Sequence, residues 1–183
     1  AAETLDLLVE CASREGNLVL NVGPQSDGRF PPEFTRRLGA IGRWLAMNGE
    51  AIYGSETGNV TEFVGRGWQT VRGKSLYLVI RFDDRRPEMR VVDLATRVKR
   101  VTLLATGKRL PFTQRGDEVM IRGLAASQQA GLFPVIKVEC AGKPRGGVFA
   151  RHRTWGDDAT AFAAWARRRG TSVWVDGKSR DRA

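Results

Sequence analysis

Three kinds of hydrophobic pattern follow one another along the first third of this chain. Leu5, Leu8, Val9 and Ala12 recur at the spacing of one helix face, with Thr4 placed to cap that helix and Gly16 to end it. Leu18 to Val22 then carries apolar side chains toward both faces, the pattern of a parallel strand covered on each side. A third stretch opens at Pro31-Pro32-Glu33 and closes at Asn48-Gly49. It sets Phe34, Leu38, Ile41 and Leu45 in a helical stripe with Trp44 beside it, while Glu33, Arg36, Arg37 and Arg43 occupy the remaining surface. Helix, buried strand, loop, helix is the grammar of an α/β barrel or an open doubly wound sheet. A parallel strand needs neighbours reached through crossover helices, so the pattern predicts the tail end of a larger protein.

From about Gly65 the period changes to two, with turn residues every several positions. Leu76, Leu78, Ile80 and Phe82 alternate with Tyr77, Val79 and Arg81; Asp83-Asp84 breaks the run before Met89 to Val92. Val98, Val101 and Leu103 begin another strand, turned by Thr106-Gly107-Lys108, and Glu118 to Ile121 and Phe133 to Val138 complete the set. Gln114-Arg115-Gly116-Asp117 is the expected hairpin tip. The region predicts a small antiparallel sandwich of roughly 80 residues, near the low end for independent stability.

The run Asn17 to Pro24, Asp27-Gly28, Arg37-Leu38, Ile41-Gly42, Trp44-Leu45 and Asn48 to Gly54 together resembles the closing segment of the family 29 α-L-fucosidases. Gly73 to Leu78 and Pro134 to Val138 are similar to that family's C-terminal sandwich, so the resemblance covers about Leu5 to Glu139. It implies the fold class α/β plus all-β: the terminal segment of a (β/α)8 TIM-type barrel followed by an antiparallel β-sandwich. The implied division is 1–55 as the last part of the barrel, 56–64 as linker, 65–143 as sandwich and 144–183 as an unassigned basic tail with a short helix. The implied activity of the full-length parent is retaining hydrolysis of terminal α-L-fucose from glycans. That chemistry needs two carboxyl groups about 5 Å apart, projecting from the C-terminal ends of different barrel strands. In the family both lie upstream of the matched segment, as do the histidines that hold the sugar. The chain alone is therefore expected to be inactive, with no catalytic residue of its own, no metal and no cofactor.

Asn21 and Asp27 are the candidate substrate contacts, since both lie where the predicted strand meets the catalytic end of a barrel. Each has a plainer reading. Pro24-Gln25-Ser26-Asp27-Gly28 is ordinary turn chemistry, and Asn21, polar in an apolar strand, needs a partner that the loop backbone can supply. Glu50 and Glu56 tempt an acid/base assignment, but they follow a helix C-terminus, which in a barrel faces away from the site, so they are read as linker charges. Trp44 and Tyr53 are expected to be apolar contacts between barrel and sandwich. His152 is the only histidine, so histidine-based zinc sites and Ser-His triads lack parts. Cys11 and Cys140 are expected to be buried free thiols. The loop after the predicted strand lacks Gly-Lys-Ser/Thr, and Pro24 removes a backbone donor, which excludes a phosphate loop.

A formal charge of +10 raises nucleic acid as a partner. From Arg145 onward nine basic side chains stand against four aspartates, half of the whole excess. Arg97, Lys99 and Arg100 read as a solvated sheet face without the interleaved aromatics a single-strand binder uses. The expected partner is a fucosylated glycan met by the full-length enzyme, with no nucleic acid, no membrane and the oligomeric state open. Two other classes stay in view. A carbohydrate-binding sandwich would show exposed aromatics, with Trp68 and Tyr77 as its only candidates; a basic nucleic-acid binder would bind in a steeply salt-dependent way. Asp158 to Arg169 predicts a short amphipathic helix, Thr171 to Val175 a strand, and Lys178 to Ala183 a disordered end. No apolar run approaches the roughly 20 residues that span a bilayer. The resemblance suggests secretion, periplasm or lysosome without choosing among them.

Overall fold

In the computed structural model, residues 1–58, 67–80, 87–124 and 132–146 are described in full, and 174–175 and 178–179 as backbone. The predicted tail helix from Asp158 to Arg169 and the Phe82 end of its strand lie outside the described residues. Two helices come first, α1 (Ala2–Ser13) and α2 (Pro32–Asn48), followed by a single 3₁₀ turn at Gly49–Ala51. The strands are β1 (Glu56–Thr57), β2 (Gly67–Arg72), β3 (Ser75–Ile80), β4 (Glu88–Val91), β5 (Val98–Leu103), β6 (Phe112–Arg115), β7 (Glu118–Arg122) and β8 (Val135–Cys140). A two-residue ladder pairs β9 (Trp174–Val175) with β10 (Lys178–Ser179). The end predicted as disordered thus begins with a strand.

The strands form two antiparallel sheets, ordered β1-β2-β3-β8-β5 and β4-β7-β6. Period-two burial explains why they stack. On β3, Leu76, Leu78 and Ile80 point into the core between the sheets, meeting Met89, Val91, Val119, Ile121, Ile136 and Val138. Tyr77 and Val79, on the opposite face, join a second core with Val135, Phe133 and the helix residues Leu5, Val9, Ile41, Trp44 and Ala51. The result is three layers, helices on sheet on sheet, with β3 and β8 covered on both sides. The hairpin between β6 and β7 turns at Gly116-Asp117, with Gly116 at φ +60 in the first central position. Gln114 and Arg115, predicted at the tip, belong to the strand instead.

α2 begins with Pro32 in its first turn, where a missing N–H costs nothing, and Glu33 faces the positive helix end while bonding Arg36 and Arg37. α1 starts at Ala2 with no side-chain cap, so Thr4 lies inside the helix rather than capping it. It ends at Ser13, earlier than the glycine signal suggested. Glu15 takes the left-handed conformation at φ +59, and the Gly16 N–H closes onto the Cys11 carbonyl at 2.8 Å.

One expected element does not form within this chain. Leu18 to Val22 forms no strand, and Val19 is 84% exposed and Leu20 47%. The pattern states a demand for two neighbouring strands and two covering layers. No described residue meets it, so the segment runs as coil, exposed from Val19 to Asn21 and half-buried at Leu18 and Val22.

Candidate functional site

The loop from Gly16 to Pro31 carries both residues singled out as substrate contacts, and both are exposed. Its tip is a closed turn: Gln25 N–H donates to the Arg29 carbonyl at 2.8 Å, and Gly28 N–H to the Gln25 carbonyl at 2.9 Å, with Gly28 at φ +80. An Asp27 carboxylate oxygen accepts from the Arg29 N–H at 3.0 Å, and the Arg29 side chain lies 3.9 Å from the other oxygen. Asp27 therefore organises its own turn. Asn21 stands on the exposed coil that precedes it, so the buried-partner argument made for it does not apply.

The sharpest polar constellation among the described residues lies elsewhere, where the 3₁₀ turn after α2 meets the sheet. One Glu50 carboxylate oxygen accepts from the Tyr77 hydroxyl at 2.7 Å and from the Lys137 ammonium at 2.5 Å. Lys137 also lies 5.9 Å from the centre of the Tyr77 ring. Partial burial pushes the Glu50 carboxyl up, but the hydrogen bonds from Lys137 and Tyr77, with the charges of Lys137 and Arg72, carry it below its ordinary value. Burial, reinforced by donation to Glu50, raises the Tyr77 phenol. Glu50 was read as a linker charge because sequence does not say that β3 and β8 lie side by side. The Tyr77–Lys137 register, opposite each other across those strands, is what assembles the cluster. Glu56, its companion in that reading, pairs with Lys143 at 2.5 Å.

Other carboxylates follow the same rule. Arg100 on β5 grips Glu139 on β8 with two hydrogen bonds, and Glu139 is held low by that bond against slight burial. Glu33 is held low by its bond to Arg37. A glycosidase general acid needs a carboxyl pushed up; Glu33, Glu50 and Glu139 all move down. No group of three or more metal-binding side chains occurs among the described residues, and His152 is outside them. Both cysteines are free; Cys140 is buried, which pushes its thiol up to about 11, and Cys11 is only half-buried.

The aromatics divide. Trp44 is buried and its indole N–H donates to the Phe133 carbonyl at 2.8 Å, the contact between helical layer and sandwich that was expected of it. Tyr53 is exposed, its ring resting over Gly49. Tyr77 is buried, and Trp68 is half-buried with its indole N–H on Asp6 at 2.8 Å and Arg14 against its ring, so neither is an exposed sugar platform. An open cleft of about 360 Å³ lies at one sandwich edge, lined by Arg97, Phe112 and Gln114 among others. The Gln114 amide is spent on its own backbone, accepting from Val98 and donating to Leu94, Thr96 and Gly116.

Residues 1–50 match the family model described as α-L-fucosidase. The tissue α-L-fucosidase of Bos taurus is 38% identical over 110 residues, 58% of this chain and 23% of that protein. That of Rattus norvegicus is 34% identical over 139 residues, 73% of this chain and 29% of that protein. The chain belongs to the α-L-fucosidase family. Isoenzyme 1 of the α-L-fucosidase from Paenibacillus thiaminolyticus superposes with a TM-score of 0.68 at 29% identity, covering 76% of this chain and 34% of that one. A likeness over 76% of the chain extends well past residue 50, so it takes in strands of the sandwich as well as the helices. This fucosidase-family chain spans about a quarter of the length of the curated relatives it matches.

Proposed function

We propose that this chain serves as the C-terminal, non-catalytic portion of an α-L-fucosidase, bearing the last strand and helix of a (β/α)8 barrel and the β-sandwich that follows. In this reading the whole enzyme removes terminal α-L-fucose from glycans by retaining double displacement, and its nucleophile and acid/base lie outside these 183 residues. The observation that carries the reading is the match of residues 1–50 to the family, continued into the sandwich by the solved relative. The carboxyl directions bear on the proton-donor role alone. Glu33, Glu50 and Glu139 are held below their ordinary value by basic partners, the opposite of the raised carboxyl that protonates a leaving group. Asn21, within the barrel strand of this reading, and Asp27, on the loop after it, are this portion's candidates for a substrate contact, each beside the plainer structural use already given. The test is direct: the purified chain, offered an aryl α-L-fucoside, is expected to release no fucose. Turnover by the chain alone would remove the proposal.

A further inference from the structure

Arg97, Lys99 and Arg100 form one basic run in sequence, and the fold divides it. Arg100 is bound to Glu139 across the β5–β8 ladder. Arg97 instead lines the open cleft of about 360 Å³ at the sandwich edge, together with Ala95, Val98, Gln114, Gly116 and the half-buried Phe112. None of these six residues is acidic. Three more exposed cations adjoin the lining: Lys99 follows Val98, Arg115 lies between Gln114 and Gly116, and the Arg145 carbonyl accepts from the Ala95 N–H at 3.0 Å. Among the described residues, no carboxylate pairs with Arg97, Lys99, Arg115 or Arg145, whereas Arg90, Arg122 and Lys143 of the same sandwich each face a glutamate. The one carboxylate directly beside the lining in sequence, Asp117, is half-buried. The cleft is therefore a concave surface whose positive charge is left uncompensated.

We propose that this cleft is a subsite for an acidic saccharide unit, a sugar ring carrying a sulfate ester or a carboxylate, with Arg97 holding the anion and Phe112 the ring. The flat guanidinium fork offers paired N–H groups to two oxygens of either anion. The phenyl ring supplies an apolar surface for the C–H side of a sugar, which a bare inorganic anion does not use. The wall between them is already ordered. The Gln114 amide accepts from the Val98 N–H at 2.8 Å and donates to the Leu94, Thr96 and Gly116 carbonyls, so binding need not immobilise it. The volume lies at the small end of ligand clefts, about 300 to 1,000 Å³, which suits a short saccharide rather than a folded partner. A nucleic-acid strand is disfavoured, because successive bases stack on several aromatic side chains and this cleft is lined by one, itself half-buried. The choice of a sugar rests on the glycan-active reading given above; the unpaired basic cleft rests on the geometry alone.

The test is titration of the full chain, followed through its amide resonances, with galactose 6-sulfate, glucuronic acid, unmodified galactose and inorganic sulfate. One of the two acidic sugars is expected to shift the amides of Arg97, Phe112 and Gln114 and to bind about fivefold or more tighter than galactose or inorganic sulfate. Which acid binds tighter tells a sulfate site from a carboxylate site. Arg97→Gln is expected to weaken that binding about fivefold or more while the thermal midpoint stays unchanged, since the side chain is exposed. Arg97→Lys keeps the charge without the fork and is expected to fall between the two. Galactose or inorganic sulfate binding as well as the acidic sugar overturns the proposal. So do shifts confined to other parts of the chain, or an Arg97→Gln variant that binds unchanged. A single-stranded oligodeoxynucleotide that displaces the acidic sugar from the cleft and binds more tightly at equal ionic strength assigns the surface to nucleic acid instead. Turnover of an aryl α-L-fucoside by the chain reports on the proposed function separately: loss of acidic-sugar binding overturns the subsite and leaves that reading standing, whereas turnover removes that reading and leaves the cleft to its own titration.

Discussion

Leu18–Val22 and Leu76–Ile80 carry almost the same message in sequence and meet opposite fates. Both are five-residue stretches with large apolar side chains directed to both faces. The second becomes the inner strand β3, paired with β2 and β8, with Leu76, Leu78 and Ile80 in one core and Tyr77 and Val79 in the other. The first is coil, exposed at its centre and half-buried at its two ends. Strand formation requires partners for the backbone and cover for both faces, and β3 finds them within the chain. A doubly apolar pattern is therefore a statement of need, and tertiary context decides whether it is met.

The largest effect that would break this contrast is in core truncation. Leu78→Ala is expected to cost about 2 to 5 kcal/mol in urea unfolding, because a fully buried side chain leaves a cavity. Leu20→Ala is expected to fall within about 0.5 kcal/mol of the parent. Equal losses would mean that the N-terminal segment is packed after all. Next comes the same comparison inside α2. Trp44→Phe removes the indole N–H that donates to the Phe133 carbonyl, an expected loss of about 0.5 to 1.5 kcal/mol. Phe34→Ala, at the uncovered end, should register below about 1 kcal/mol by the same measurement.

A smaller effect depends on pH. Glu50 has a lowered carboxyl value in the folded chain, against an ordinary 4.5. Its contribution is therefore present above pH 4.5 and is lost as pH falls through the folded-state value. Glu50→Gln is expected to cost roughly 0.5 to 1 kcal/mol at pH 7, limited by solvent screening, and the gap should close in acid. A gap that stays constant from pH 7 to pH 3 would mean that charge is not what Glu50 supplies. The smallest effect is chemical. Alkylation of the native chain at pH 8 should modify Cys11 roughly tenfold or more faster than Cys140, whose buried thiol resists ionisation.

Much of the sandwich was legible, for a physical reason. β5, β7 and β8 alternate or run apolar between clear turn signals, and β3 carries its two-faced burial openly. β2 was not singled out, because Gln69 and Thr70 interrupt its pattern. Thr70 is nonetheless fully buried, donating its hydroxyl to the Ala51 carbonyl at 2.6 Å. The boundaries of α1 misled because Glu15 takes a left-handed turn usually left to glycine. At the candidate site, the Asp27 turn was readable from local chemistry, whereas the Glu50 cluster was not. Its members come from a helix end and two strands, 27 and 87 residues apart in sequence, and only the β3–β8 register unites them.

The grip of Trp44 on the sheet also makes α2 a lever. Phe34 stands ten residues ahead of that anchor, about 15 Å along the axis, so a tilt of about 4° at the fulcrum swings the free tip by about 1 Å. A slackened bolt beneath the indole would thus be felt at the far end of the shaft, where the leading turn and the loop feeding it must be aimed.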